Sequence, residues 1–130
     1  MRVYKIKGFV RFQRRERIAD KALAQAILAA ERGLIDADLR GGLIKQRIAR
    51  PGQGKSGGFR TLIAYRRSER AVFLFGFAKN ERDNVDDDEL EALRGRGQVF
   101  LALSTEQLAQ LLTEGDLTEV EYDEKSEAKN

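Results

Sequence analysis

The sequence predicts an α+β fold, a small antiparallel sheet of about three to five strands with N-terminal and C-terminal helices packed on it. Three observations predict it. The β-rich segments Leu43–Ala49, Phe59–Arg67 and Ala71–Lys79 follow one another, and Ser68-Glu69-Arg70 is short enough for a hairpin turn between the last two. A stretch of helical period precedes them, and acidic and Ser/Thr capping signals follow.

Val3-Tyr4-Lys5-Ile6-Lys7 reads as a short first strand, and Phe9–Arg15, crowded with arginines, as a helix or its approach. Asp20 is a candidate N-cap for KALAQAILAAERG, in which Leu23, Ile27, Ala30 and Leu34 recur at steps of four, three and four before the stop signal Gly33. Gly41-Gly42 then breaks the chain. The segment AVFLFGFAK is apolar at nearly every position, as expected of a central strand covered on both faces. In DNVDDDEL, from Asp83 to Leu90, carboxylates suit the positive end of a helix dipole. Gly95 and Gly97 each weaken the following helix by about 1 kcal/mol relative to Ala, which allows one long helix or two short ones. Ser104 with Gln107 signals a fresh cap, for a helix ending near Gly115. Residues 1–130 read as one domain, and Leu117–Asn130 as a loose acidic tail with room for a short strand at Thr118–Tyr122.

The chain has 130 residues, 42% of them hydrophobic, and no apolar run of membrane-spanning length. MRVYKIKGFVRF lacks the apolar core of a secretory signal, so a cytoplasmic location and no membrane partner are expected. With no cysteine and no histidine, disulfides, thiolate nucleophiles and the commonest metal ligands are excluded. Any chemistry falls to Lys, Arg, Tyr or carboxylates. Up to Arg82 the chain carries 20 basic against 7 acidic residues, and from Asp83 onward 4 against 14. A body of net +13 beside a final third of net −10 suits a polyanionic partner, nucleic acid being the usual one. The acidic third either folds back over the basic face or serves as a solubilising tail.

ARPGQGKS, from Ala49 to Ser56, resembles a nucleotide-binding P-loop in its Gly-Lys-Ser. Such a loop must open a helix, whereas Phe59–Tyr65 reads as a strand, so no nucleoside triphosphate is expected. DNVDDDELEAL lacks the glycine of a calcium loop, and no metal is expected. What the loop offers is cationic density beside glycines: Arg50, Lys55 and Arg60 among Gly52, Gly54, Gly57 and Gly58. Such a loop suits a phosphate backbone. In the preceding strand Lys45 and Arg47 share one face while Ile44 and Ile48 share the other. Arg60 and the Lys79-Asn80-Glu81-Arg82 segment converge on the basic side.

GGLIKQRIARPGQGKSGGFRTLIAYR, with the apolar strand and FAKNERDNVDDDEL after it, resembles the RelE/HigB branch of a bacterial toxin–antitoxin superfamily over Val3 to Leu93. The resemblance implies a small antiparallel sheet flanked by helices, and a ribosome-dependent endoribonuclease that cleaves messenger RNA in the A site and is restrained by a cognate antitoxin protein. Ribosome and mRNA are then its further partners. Cleavage through the ribose 2′-hydroxyl needs a proton acceptor, stabilisation of an anionic phosphorane and a donor to the 5′-oxygen, with no metal or cofactor. By resemblance Lys45 and Arg47 match the family's basic pair and Arg60 matches the arginine opening the next strand, so Lys45 or Arg47 is expected in proton transfer and Arg60 in holding the phosphate. Arg50, Lys55, Lys79, Asn80 and Arg82 are candidates for RNA or ribosome contact, and Tyr65 either stacks a base or, alternating with Ile63, belongs to the core. Asn80 stands where some members carry an arginine, with Arg82 either its substitute or a contact to ribosomal RNA alone, and Asp86 near the place of a stacking tyrosine. The competing readings are the related ParE branch, which inhibits DNA gyrase without nuclease activity, and a non-catalytic RNA-binding module.

Overall fold

A computed structural model describes residues 1–50, 54–82 and 84–123, and of residues 54–57 the backbone alone. The elements run β1 (Arg2–Ile6), α1 (Lys7–Glu16), α2 (Asp20–Glu31), β2 (Ala37–Asp38), β3 (Leu43–Arg50), β4 (Gly54–Arg66), β5 (Arg70–Ala78), α3 (Asp87–Ala102), α4 (Thr105–Glu114) and β6 (Leu117–Val120). The expected α+β architecture is present, with a larger and differently paired sheet. Six strands lie in the order β2-β3-β4-β5-β1-β6. The β3-β4-β5 meander is antiparallel, but β1 joins β5 in parallel, so the sheet is mixed.

Strand β5 is central, as its apolar composition predicts. Phe73 meets Phe9 of α1 at 5.0 Å between ring centroids, and Phe12 meets Phe59 at 5.8 Å, so α1 seals one face of the β4-β5 pair. The glycine at position 76 admits that helix, since a Cβ there would come within 2.3 Å of the Phe12 ring. On the opposite face α3 crosses β4 and β5, and Gly97 lets it approach: a Cβ would sit 3.1 Å from that of Ala64. This close approach explains why the glycines do not split α3, which is one helix. Burying Phe9, Phe59, Phe73, Leu62 and Ile63 completely contributes about 1.5–3 kcal/mol per side chain.

The capping signals at the C-terminal helices hold. Asp86 caps α3 and Ser104 caps α4, each with a reciprocal bond from the side chain three residues on. Helix α2 ends earlier than its apolar spacing suggests. Gly33 adopts φ +84° and Leu34 bonds back to Ala29, which leaves the Leu34 side chain 67% exposed beyond the helix. Asp20 departs from its expected role as N-cap, which falls to Ala19. Its carboxylate instead accepts from Lys5 Nζ at 2.7 Å and from Gln13 Nε2 at 2.6 Å, while Lys5 also donates to Gln13 at 2.8 Å. This network ties β1, α1 and α2 together around a lysine only 7% exposed. Leu117–Val120, expected at the head of a loose tail, form β6 against β1, with Leu117 and Val120 buried. Two apolar side chains at a spacing of three cover the sheet margin there. Residues 124–130 lie outside the described residues.

Two stability outcomes follow from these contacts. A Cβ on Gly58 would come within 2.1 Å of the Ile48 carbonyl oxygen and 2.8 Å of the Arg50 nitrogen, both backbone atoms. Gly58→Ala is therefore expected to lose about 2 kcal/mol or more in urea unfolding. At Asp20 burial alone would raise the carboxyl, but bonds from Lys5 and Gln13 and the Lys5 charge outweigh it and hold it below its ordinary value of 3.8. A depressed folded value contributes stability that is complete above that ordinary value and lost as pH falls through the folded one. Asp20→Asn is expected to cost about 1–2 kcal/mol near neutral pH, kept modest by half exposure, and to lose less relative to wild type in acid.

Candidate cationic active face

Alternation along β3 sends Leu43, Lys45 and Arg47 to one face and Ile44, Gln46 and Ile48 to the other. The β3-β4 ladder sets Lys45 opposite Leu62 and Arg47 opposite Arg60. Across β4-β5, Leu62 faces Phe75 and Arg60 faces Phe77. Residues directly opposite in an antiparallel ladder share a face, so Lys45, Arg47 and Arg60 come together beside two aromatic rings. Helix α3 covers the neighbouring row at Ala64 and leaves these rows at its margin.

Burial differs sharply among these cations. Arg60 is 6% exposed, held within the sheet between Arg47 and Phe77, while Lys45 is half-buried and Arg47 exposed. Among the described residues the Lys45 ammonium and the Arg47 guanidinium have no hydrogen-bond or ion-pair partner, whereas Arg60 is engaged. The Arg47 amide donates to Asp36 Oδ2, which fixes the backbone of the strand edge without neutralising the side chain.

Arg82 completes the face. Its guanidinium lies 5.4 Å from the Phe75 ring centroid and 5.5 Å from that of Phe77. Both terminal nitrogens donate to the Glu89 carboxylate, at 2.8 to 3.3 Å. Glu89 also accepts from the Asp86 amide in the α3 capping box. One carboxylate thus fastens the helix start to the cation, an ion pair that joins the acidic third to the basic body alongside Arg2–Glu119 and Lys7–Asp116. Spacing alone did not reveal this partner, although the Asp86/Glu89 capping pair is its visible trace in the sequence.

Two expected contact residues lie elsewhere. Tyr65 shares a face with Ile63, is 9% exposed, and donates through its hydroxyl to Glu31 of α2. Burial, then that bond, pushes the phenol upward in pKa. It is anchored on the side away from Lys45, so base stacking at the cationic face is corrected to a structural tie. Arg50 falls on the same side as Ile48, with its guanidinium 4.8 Å from the Phe59 centroid and 3.6 Å from Glu16 of α1. It too is separated from the cationic face. Lys79 and Asn80 are exposed just past β5, the Lys79 amide donating to the Gly58 carbonyl at the same end of the sheet. Lys55 lies on β4, its side chain outside the described residues. The P-loop-like glycines lead into β4, not into a helix, and Pro51, Gly52 and Gln53 lie outside the described residues. Among the described residues no group of three or more acidic, His or Cys side chains is arranged to hold a metal, and no helix is long and apolar enough to cross a membrane.

Glu89→Gln retains an oxygen acceptor for the capping box while removing the charge that holds Arg82. Because both partners are about one-third exposed, thermal unfolding is expected to register a loss of under about 1 kcal/mol. Glu89→Ala also removes the box and is expected to lose about 1 kcal/mol more.

No curated protein matches the chain. Residues 1–120, nearly its whole length, match the model of the family described as RelE toxin of the RelE/RelB toxin–antitoxin system. The chain therefore belongs to the RelE toxin family and is the toxin of a toxin–antitoxin pair.

Proposed function

We propose that the protein is a ribosome-dependent, metal-independent endoribonuclease that cuts messenger RNA in the A site and so inhibits translation. The observation that carries the reading is the β3-β4 register, which sets Arg47 against Arg60 with Lys45 one step along the same face. Like charges directly opposite on a sheet repel, and a phosphodiester lying between them relieves the repulsion. Family membership supplies the reaction class.

The ribose 2′-hydroxyl loses its proton, its oxygen attacks the adjacent phosphorus, and the P–O5′ bond breaks to leave a 2′,3′-cyclic phosphate and a protonated 5′-hydroxyl. Lys45 and Arg47 are the groups assigned to proton transfer. Arg60, rigid because it is buried within the sheet, is assigned to the non-bridging phosphate oxygens, where charge grows in the phosphorane. Arg82, over the Phe75 and Phe77 rings and paired with Glu89, is assigned to RNA or ribosomal contact beside Asn80. Lys55, Lys79 and Asn80, at the same end of the meander, serve the RNA or ribosomal backbone, with exposed charge suited to phosphate contact. The protein works in the cytoplasm, where translating ribosomes are.

Primer extension on a defined message in a reconstituted translation reaction tests this, with ribosome-free RNA as control. Position-specific cuts are expected only on translating ribosomes. Arg60→Ala is expected to lower the cleavage rate by about 10²- to 10³-fold, the usual loss when one transition-state donor is removed. Lys45→Ala and Arg47→Ala are expected to lower it by about 10²-fold or more, as for loss of a proton-transfer group. Intact message at every dose of wild type would overturn the proposal, and inhibition of gyrase supercoiling by that same protein would put the ParE-like mode in its place.

A further inference from the structure

Arg82 reaches the cationic face with its outward donors already taken. Nη1 and Nη2 each donate to both oxygens of the Glu89 carboxylate, at 2.8 to 3.3 Å. Nε is buried and has no hydrogen-bond partner among the described residues, so the two terminal nitrogens are the donors that an incoming anion would meet. The Arg82 side chain is 33% exposed and that of Glu89 37%, which puts the pair at the surface and not in the core. A carboxylate spanning both terminal nitrogens of a guanidinium has the fork geometry in which two phosphate oxygens also bind. On Arg82, Glu89 fills the place that a phosphodiester would take.

Each partner keeps a second hold when the two separate. The guanidinium lies over the Phe75 and Phe77 rings, and these contacts keep the cation on the face without Glu89. Glu89 still has the Asp86 amide, at 3.2 Å, and its own amide still donates to Asp86 at 2.8 Å, so the start of α3 remains capped. Exchange of carboxylate for phosphate therefore costs neither the seat of the cation nor the helix cap. Lys45 and Arg47 have no such internal anion among the described residues. The exposed carboxylates of Asp86, Asp87 and Asp88 act on every anion nearby through their field alone. Glu89 differs from them in occupying the donors themselves.

We propose that Glu89 is an internal competitor for RNA phosphate at Arg82: it holds the cation in the free protein and yields it to a phosphodiester when RNA binds. The proposal rests on the reading of the cationic face as an RNA site and adds a control on the affinity of that site. No covalent bond changes, and one ion pair is exchanged for another. Its consequence has a definite sign. Removing the Glu89 charge, which weakens the fold slightly, tightens the binding of RNA. A purely structural pair predicts the reverse, because loss of Glu89 would then leave Arg82 less well placed and RNA binding weaker or unchanged.

Binding of the full chain to ribosomes over a series of salt concentrations tests this, with the A site either vacant or holding a 2′-O-methylated codon that lacks the attacking hydroxyl. Wild type is compared with Glu89→Gln, with the double variant Arg82→Ala/Glu89→Gln, and with Glu91→Gln. The last removes the same charge from an exposed position two residues along α3, where side chains do not face each other. Glu89→Gln is expected to bind about fivefold tighter near 0.1 M salt, and the slope of log K against log salt to steepen by about 0.7, the contribution of one phosphate contact on a single strand. The double variant is expected to lose this gain, and Glu91→Gln to show little of it. A gain confined to the occupied A site assigns the phosphate to the message, and a gain in both states assigns it to ribosomal RNA. Unchanged or weaker binding by Glu89→Gln would overturn the proposal, as would an equal gain in Glu91→Gln. Cleavage of unmodified message by wild type is measured alongside. Cuts without a gain in Glu89→Gln sink this proposal alone, whereas intact message with no binding by any of the proteins sinks the RNA reading and this proposal with it.

Discussion

Arg47 and Arg60 stand opposite each other across β3 and β4, and everything on the cationic face depends on that confrontation being held. Two guanidiniums in register repel, so the ladder must be secured by something other than the cations themselves. The other side of the same strands supplies it. Ile44, Ile48, Phe59 and Ile63 are buried under α1 and α2, and the Gln46 side chain donates to the Ala26 and Leu34 carbonyls of the α2 region. Slipping the register by one residue would put those apolar groups in water and the arginines in the core. Stability of one face thereby fixes the geometry of the other.

Charge on the site face is graded by burial. Arg60 is locked within the sheet, Lys45 is half-covered, and Arg47 opens to solvent. Arg82 is reached from outside the sheet and oriented by aromatic rings and by Glu89. The least mobile cation has the assignment that needs the best geometry, because a preorganised donor has little reorganisation left to undergo when charge develops. The more accessible cations suit a backbone that must enter and leave.

The cationic face was largely legible in the sequence, because β-strand alternation and the pairing of two strands adjacent in the chain are near-local signals that place Lys45, Arg47 and Arg60 without distant contacts. The same alternation puts Tyr65 with Ile63 and Arg50 with Ile48, so their absence from the face obeys the rule that found the others. Grouping them by chain proximity obscured it. The parallel seat of β1 on β5 and the β6 edge depend on pairing across some 70 to 115 positions, which leaves no local pattern. Asp20 shows the remaining limit: cap chemistry and ion-pair chemistry use the same carboxylate, and only the neighbouring Lys5 and Gln13 decide between them.

The register of β5 shifts once, between Leu62 and Ile63 of β4, where Phe75 and Phe73 are the successive partners and Leu74 is the additional residue. Phe73 and Phe75 are two apart and in a regular strand would point the same way. The inserted residue reverses the parity of everything after it. Phe73 therefore goes to α1 and the core, and Phe75 and Phe77 go to Arg82 and the cations. A single strand of near-uniform apolar composition in this way divides its rings between two tasks, and the boundary between the α1-facing core and the cationic face is drawn by one buried residue, Leu74.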